Sequence, residues 1–340
     1  MKRVVTFGEI MLRLTPEASL RFFQNDRMQA SFGGGEANVA VSLANYGLDA
    51  AFVTKLPEND IGRAAVNQLK YFGVDTGLIK RGGSRVGIYY LEKGASQRPS
   101  KVIYDRAYSA IAMAEKDDFD WDEIFDGADW FHFTGITPAL GKNVADICLE
   151  ACRKAKEKSI KVSCDLNYRK NLWTTDEAGE TMSKLMEHVD LCIANEEDAE
   201  KVFGIKGSDT DVVQGKLNYE GYKDVALQLK ERFNFSYVAI TLRTSISANY
   251  NEWSALLYDS NDFHFSKTYP IQIVDRVGGG DSFGGGLIYG LLKGMSSGDA
   301  LDFATAASCL KHSIEGDFNR VTLAEVENLL GGDSSGRVQR

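Results

Sequence analysis

From Trp130 to Thr241 the chain alternates short apolar runs with amphipathic stretches of helical spacing, a rhythm that few folds accept. Trp130–Phe133, Ile160–Asp165, Asp190–Ala194 and Tyr237–Thr241 read as strands. Val144–Lys156, Glu177–His188, Asp198–Phe203 and Tyr222–Phe233 read as the helices between and around them. Strands joined through helices run parallel, and a parallel sheet is covered on both faces, so the pattern predicts an α/β core. Upstream, Val4–Phe7 adds a strand and Ala37–Tyr46 a helix stopped by Gly47. A second helix carries Ile61, Ala64, Ala65, Leu69 and Phe72, with Asp60 and Gly73 as its caps. Between Arg85 and Asp105 the rhythm breaks. Gly87–Leu91 and Lys101–Asp105, rich in Tyr, Ile and Val and joined by a polar connector, predict a β-ribbon. Downstream, Ser254–Tyr258 and Phe263–Thr268 predict an antiparallel pair, followed by helices over Ser282–Lys293, Gly298–Ser313 and Leu323–Leu330. The polar tail Gly331–Arg340 is expected to be disordered.

Charge and composition narrow the function. A net charge of −9 disfavours a nucleic-acid surface or an anionic membrane as partner, since both reward a positive field. It leaves room for a phosphorylated ligand, which a few oriented N–H groups and basic side chains hold locally. Five scattered cysteines, Cys148, Cys152, Cys164, Cys192 and Cys309, predict buried thiols in a reducing compartment. The first apolar run is broken at Gly8 and Glu9, too early for a signal peptide, and Phe283–Leu292 is too short to span a bilayer. A cytoplasmic enzyme is the expectation.

The strongest motif is Asp275-Arg276-Val277-Gly278-Gly279-Gly280-Asp281-Ser282-Phe283, after the Ile271–Val274 run and before a helix. Glycines let a backbone approach an anion closely, and the helix start adds a positive dipole end. An aspartate there repels a bound phosphate unless it acts on a hydroxyl that attacks the phosphate, the work of a general base in phosphoryl transfer. Asp281 is therefore the candidate base. By the same logic a side chain at Gly279 would intrude where phosphoryl oxygens need backbone N–H groups. The alternative is a glycine turn with an Asp cap. Against it stand Gly284, Gly285 and Gly286 within the following helix, each costing ~1 kcal/mol relative to Ala, which implies close packing or binding. A second glycine turn, Gly33-Gly34-Gly35-Glu36-Ala37-Asn38, opens the first long helix. As a dinucleotide fingerprint it fails, because Asn38 replaces the third glycine and no clear strand precedes it. Asn38 and the amides of Gly34 and Gly35 suit hydroxyl recognition instead.

Together, the two glycine motifs resemble the paired signatures of the ribokinase/phosphofructokinase-B carbohydrate kinases, with the resemblance running from Val4 to about Leu330. It implies a ribokinase-like Rossmann-type α/β fold, a parallel sheet with helices on both faces and a small β-lid. The kinase domain would take 1–10, 35–85 and 110–330, and the lid 11–34 and 86–109. It implies ATP and Mg²⁺ and leaves a monovalent cation open. It makes Asp281 the catalytic base, Gly278, Gly279 and Gly280 the anion hole, and Asn195 to Asp198 the segment organising Mg²⁺ and phosphates. Asp198 would be the metal-side carboxylate, and Thr241 and Arg243 would lie beside the nucleotide. Tyr104-Asp105-Arg106, Asn167-Tyr168-Arg169 and Lys311-His312-Ser313 with Gly316-Asp317-Phe318-Asn319 are similar to 2-keto-3-deoxygluconate kinases. That similarity implies that Tyr90, Tyr104, Arg106 and Arg169 contact a sugar acid, with Gly34 at its hydroxyls. Guanidinium suits the carboxylate, since its fork makes paired charge-assisted bonds. The rivals are a fructokinase or other sugar kinase of the family, and a non-catalytic sugar sensor. An exposed lid sheet further predicts a homo-oligomer formed through the lid.

Overall fold

The computed structural model describes residues 2–207 and 219–332, so the tail expected to be disordered lies outside the described residues except for Gly331 and Gly332. Its centre is a nine-stranded sheet. Six strands run parallel in the spatial order Asp49–Val53, Arg3–Phe7, Trp130–Thr134, Lys161–Asp165, Leu191–Asn195, Tyr237–Ser245. Tyr250–Tyr258 then pairs antiparallel with the last of these, and both Phe263–Phe265 and Tyr269–Gln272 pair with it in turn. The α/β alternation of the sequence is thus the alternation of the fold. The strand Asp49–Val53 carries no strand signal of its own beyond Phe52 and Val53. It forms because each of its residues finds a register partner along Arg3–Phe7.

Alternate strand residues feed two cores, as period two requires. Val5, Phe131, Phe133, Val162, Cys164 and Cys192 face the helices Lys142–Glu157, Thr175–Met186, Glu196–Phe203 and Tyr219–Phe233. Val4, Phe52, Trp130, Leu191 and Ile193 face the helices Gly35–Asn45, Asp60–Tyr71, Gly279–Leu292 and Ser297–Lys311. The cap of the second helix is Asn59, whose side chain accepts from the Gly62 N–H, and not Asp60, which is already in the first turn. The five cysteines are free thiols. Among the described residues no helix is long and apolar enough to cross a membrane.

A separate four-stranded sheet, ordered Gln29–Gly33, Met11–Thr15, Gly87–Glu92, Lys101–Asp105, stands over one end of the central sheet. Gln29–Gly33 therefore supplies the strand before the first glycine turn that the sequence does not show. Met11, Tyr89 and Leu91 form a small cluster on the inner face, against Val277. Its last strand, Lys101–Asp105, is exposed along its whole length.

The glycines inside Gly279–Leu292 serve packing. A Cβ on Gly285 would lie 2.8 Å from Ser42 Cβ, and one on Gly286 would lie 2.8 Å from the Ala304 backbone. A Cβ on Gly290 would lie 2.8 Å from Ala300 Cβ. This helix is wedged between its two neighbours at backbone distance, and the cost of glycine is offset by that approach. Gly286→Val should force the helices apart and destabilise the fold by about 1–3 kcal/mol. A urea melt should show the lower midpoint; an unchanged midpoint would mean that the helices part there without cost.

Candidate active site

Thr134, Asp165 and Asn195 are the last residues of three adjacent parallel strands, and Thr241 on the fourth lies in register with Asn195. Carboxyl ends of parallel strands are where open α/β sheets place ligands. Here they open on a cleft of about 460 Å³, which the small sheet, the glycine motifs and the segment around Asp317 close from the other sides.

The Gly278-Gly279-Gly280 motif opens the helix Gly279–Leu292. Gly278 takes a left-handed φ of 82° and caps the helix Gly279–Leu292, leaving Asp281 in the first turn. Ser308 donates to the Gly279 carbonyl at 2.7 Å, and the His312 carbonyl accepts the Val274 N–H at 2.8 Å. The His312 ring lies under Gly279, where an added Cβ would come within 2.5 Å of it. This corrects the role expected of Gly279: its missing side chain makes room for His312 below, not for phosphoryl oxygens above. Gly280 is the glycine whose side-chain position is open.

The two glycine motifs meet directly. Asn38 Nδ2 donates to Asp281 Oδ2 at 2.6 Å, and Asn38 Oδ1 accepts the Gly34 N–H at 3.3 Å. An added Cβ on Gly34 would strike the Glu9 carbonyl, so the turn holds its place by close backbone contact. Burial pushes the Asp281 carboxyl up to about 6; the Asn38 bond lowers it, the Asp317 charge raises it, and Arg169 and Lys311 lower it. Asp198 is also pushed up to about 6 by burial, against the lowering effect of the Tyr168 N–H and of Arg169. Asp165 is held well above the usual carboxylate range by burial, then by the charges of Asp198 and Asp281. Three carboxylates that resist ionising together make a place that welcomes a cation.

Among the described residues no three side chains are arranged to hold a metal by themselves. Mg²⁺ does not require such a cage, since it binds through one or two carboxylates plus phosphates and waters. Asp165 and Asp198 fit that donor set. Asn195 and Asp198 also form a reciprocal cap on the helix Glu196–Phe203: Asn195 Oδ1 accepts the Asp198 N–H at 2.9 Å, and Asp198 accepts the Asn195 N–H at 3.4 Å. Thr241 and Arg243 line the same cleft, with Arg276 and Trp253 nearby.

The remaining candidates divide. Arg169 is exposed and lines both the cleft and an adjoining groove. Tyr104 reaches the cleft opposite Tyr89, their ring centroids 6.0 Å apart. Tyr90 does not: it pairs with Ile103 on the other face of the small sheet, and Tyr89 takes the inner position expected of it. Adjacent strand residues point to opposite faces, and the sequence alone does not say which of two neighbouring tyrosines faces in. Arg106 is buried, its Nε donating to Glu9 Oε2 at 2.8 Å and its Nη2 engaging the same oxygen. Ser109 Oγ donates to the other Glu9 oxygen at 2.6 Å. Asp165 and Tyr89 are not among the residues that the motifs single out, although an aspartate ending a predicted strand is a signal for the first.

The pattern that defines the pfkB family carbohydrate kinases matches residues 1–319. The chain belongs to that family. A pfkB kinase uses ATP and Mg²⁺ to phosphorylate a carbohydrate, and this cleft joins the family's two glycine motifs at one aspartate. This pfkB kinase is 32% identical over 333 residues to a 2-dehydro-3-deoxygalactonokinase of Haloferax volcanii, spanning 98% of each chain. It is 26% identical to a 2-dehydro-3-deoxygluconokinase of Thermoproteus tenax, over 93% of this chain and 90% of that one. The crystal structure of a 2-dehydro-3-deoxygluconokinase from Thermotoga maritima matches it with a TM-score of 0.94 and 55% identity, covering 98% of this chain and 100% of that one.

Because Gly279 rests on an imidazole, Gly279→Ala should destabilise the kinase by about 1–3 kcal/mol. Adding His312→Ala to the same chain should recover part of that loss. Denaturant titration of the two single variants and the double variant tests the contact; strictly additive losses would mean that the ring and the loop are not coupled.

Proposed function

We propose that this kinase transfers the γ-phosphoryl group of ATP to the 6-hydroxyl of 2-keto-3-deoxygluconate, with Asp281 as general base. The observation that carries the reading is the Asn38–Asp281 bond at the start of a glycine-opened helix. It fixes one carboxylate where a hydroxyl and a phosphoryl group would meet. Asp281 takes the hydroxyl proton as the new O–P bond forms and the bond to the β-phosphate oxygen breaks, releasing ADP. The Gly278–Gly280 turn and the helix N-terminus are assigned to the charge that builds on the transferring group. Mg²⁺, held through Asp165 and Asp198, would neutralise phosphate charge. Arg243 and Thr241 line the side of the cleft assigned to the nucleotide.

The sugar acid's carboxylate is assigned to Arg169, with Tyr89 and Tyr104 flanking the sugar. Arg106 supports this from behind Tyr104, its guanidinium 5.2 Å from the ring centroid. The names of the Thermotoga and Thermoproteus relatives support the gluconate form, and that of the Haloferax relative supports its galactonate epimer. A coupled ADP-release screen over both epimers, fructose and other sugars decides between them. Preference for a neutral sugar over every acid would overturn the substrate, and absence of turnover with any sugar would favour a sensor. The exposed Val102, Ile103 and Tyr104 on the outer strand support a homodimer through the lid, which sedimentation would test. Free, mostly buried thiols support a cytoplasmic setting.

Three kinetic outcomes are expected. Asp281→Asn should lower kcat ~10²–10⁴-fold while ATP binding persists. In the wild type, the base must be ionised to accept a proton. With its carboxyl at about 6, kcat/KM should be level above that pH and fall about tenfold per unit below it. A profile that stays flat well below that pH would remove Asp281 from the role. For the substrate, Arg169→Met should raise KM for the sugar acid about 10–100-fold, the worth of one charge-assisted contact, and leave KM for ATP nearly unchanged. An equal rise in both constants would place Arg169 outside the sugar site.

A further inference from the structure

Lys311 is the last residue of the helix Ser297–Lys311 and is fully buried. Among the described residues its ammonium makes a single hydrogen bond, to the Ile314 carbonyl at 3.2 Å. Lysine is rarely interred this completely, because desolvating an ammonium is expensive unless nearby charges compensate. The compensation comes from Asp275 and Asp317, whose charges favour the ammonium against its burial. Both carboxylates are themselves buried, and both are bound by Arg13, at 2.5 Å and 2.8 Å. The region behind the glycine loop therefore balances two carboxylates with two cations, one guanidinium and one ammonium.

The position of Lys311 matters as much as its charge. Its Cε lies 3.2 Å from where a Cβ on Gly278 would stand, so the side chain passes directly beneath the residue that caps the Asp281 helix. The carbonyl it holds belongs to the segment that leads to Gly316 and Asp317. Gly316 donates its N–H to Asp275 at 3.1 Å, and the Asp317 carbonyl lies against Gly278. Without the ammonium, an uncompensated carboxylate charge would remain under the loop. The carbonyl end of the Ser297–Lys311 helix would add partial negative charge at the same place. Both effects oppose a phosphoryl group arriving above. Carboxylate and carbonyl oxygens are also the donors that hard cations take from solution.

We propose that Lys311 is a positioning residue that serves as a built-in cation for the phosphoryl-binding loop, so that catalysis needs no monovalent cation from solution. The proposal rests on reading Gly278–Gly280 as the phosphoryl site. The first experiment uses the wild-type enzyme and compares kcat in potassium chloride with kcat in tetramethylammonium chloride at equal ionic strength. The two values should agree within about twofold, since screening is held constant. Several-fold activation by potassium overturns the proposal. The second uses Lys311→Met, which should lower kcat about 10–100-fold with little change in KM for the sugar acid. Ammonium chloride should restore part of the loss and tetramethylammonium chloride none. A wild-type kcat in this variant, or a loss that ammonium leaves untouched, assigns Lys311 to packing alone and overturns the proposal. Should the variant fail to fold, the wild-type comparison decides by itself. Failure of the underlying reading looks different: Asp281→Asn would then retain full activity, whatever cation is present.

Discussion

The buried guanidinium of Arg13 is the joint on which the cleft depends. Arg13 belongs to a strand of the small sheet, yet its two terminal nitrogens bind Asp275 and Asp317 of the main domain, with all three side chains almost wholly buried. Tyr89, from the neighbouring strand, donates its hydroxyl to Asp317 as well, at 2.6 Å. Asp275 in turn accepts the Val277 and Gly316 N–H groups. One charged fork thus sets a strand of the small sheet, the start of the glycine motif and the C-terminal segment at fixed distances. Such a buried network is weak evidence for net stability, because desolvation offsets most of its attraction. Breaking it is costly, at about 3–5 kcal/mol, since a charge is left without its partner. Its contribution is geometric. The cleft has the width that a guanidinium allows.

The helices carry the same constraint into the core. Gly285, Gly286 and Gly290 bring three helices to backbone contact, so the Asp281 helix cannot slide without collision. Ser308 and His312, on the last turn of the neighbouring helix and just beyond it, then hold Gly279 from below. Close packing transmits position with little slack. Asp281 is accurately placed because of what lies beneath its loop. Asn38, arriving from the first glycine turn, sets only its final orientation.

Much of this was legible in the sequence, for local reasons. The parallel sheet follows from alternating apolar runs, and the two glycine motifs follow from residues that no ordinary helix or strand would tolerate. Asp281 stands out because an aspartate after three glycines at a helix start is an unusual combination, and the fold brings it to Asn38. What was hidden depends on register and on distance along the chain. Tyr89 and Tyr90 are equivalent until the pairing of Tyr89 with Tyr104 decides which of them faces inward. Asn195 and Asp198 carry a capping signal that coexists with a place in the cleft. Arg13 and Asp317 have no pattern in common at all, and only the fold brings them together. The strand Asp49–Val53 is specified less by its own residues than by the neighbour waiting for it.

The Arg13–Asp317 contact also orders events during synthesis. The two residues are separated by 304 positions, so the first partner leaves the ribosome long before the second exists. At elongation rates of roughly 5–20 residues per second, that interval is on the order of tens of seconds. For most of that interval the emerging small-sheet strand carries a guanidinium destined for burial, with neither Asp275 nor Asp317 yet made to receive it. The strand has little to gain from docking early, and the parallel sheet can gather its helices while the cleft stays unbuilt. A chain stopped short of Asp317 would therefore lack one of the two carboxylates that close the cleft around Arg13.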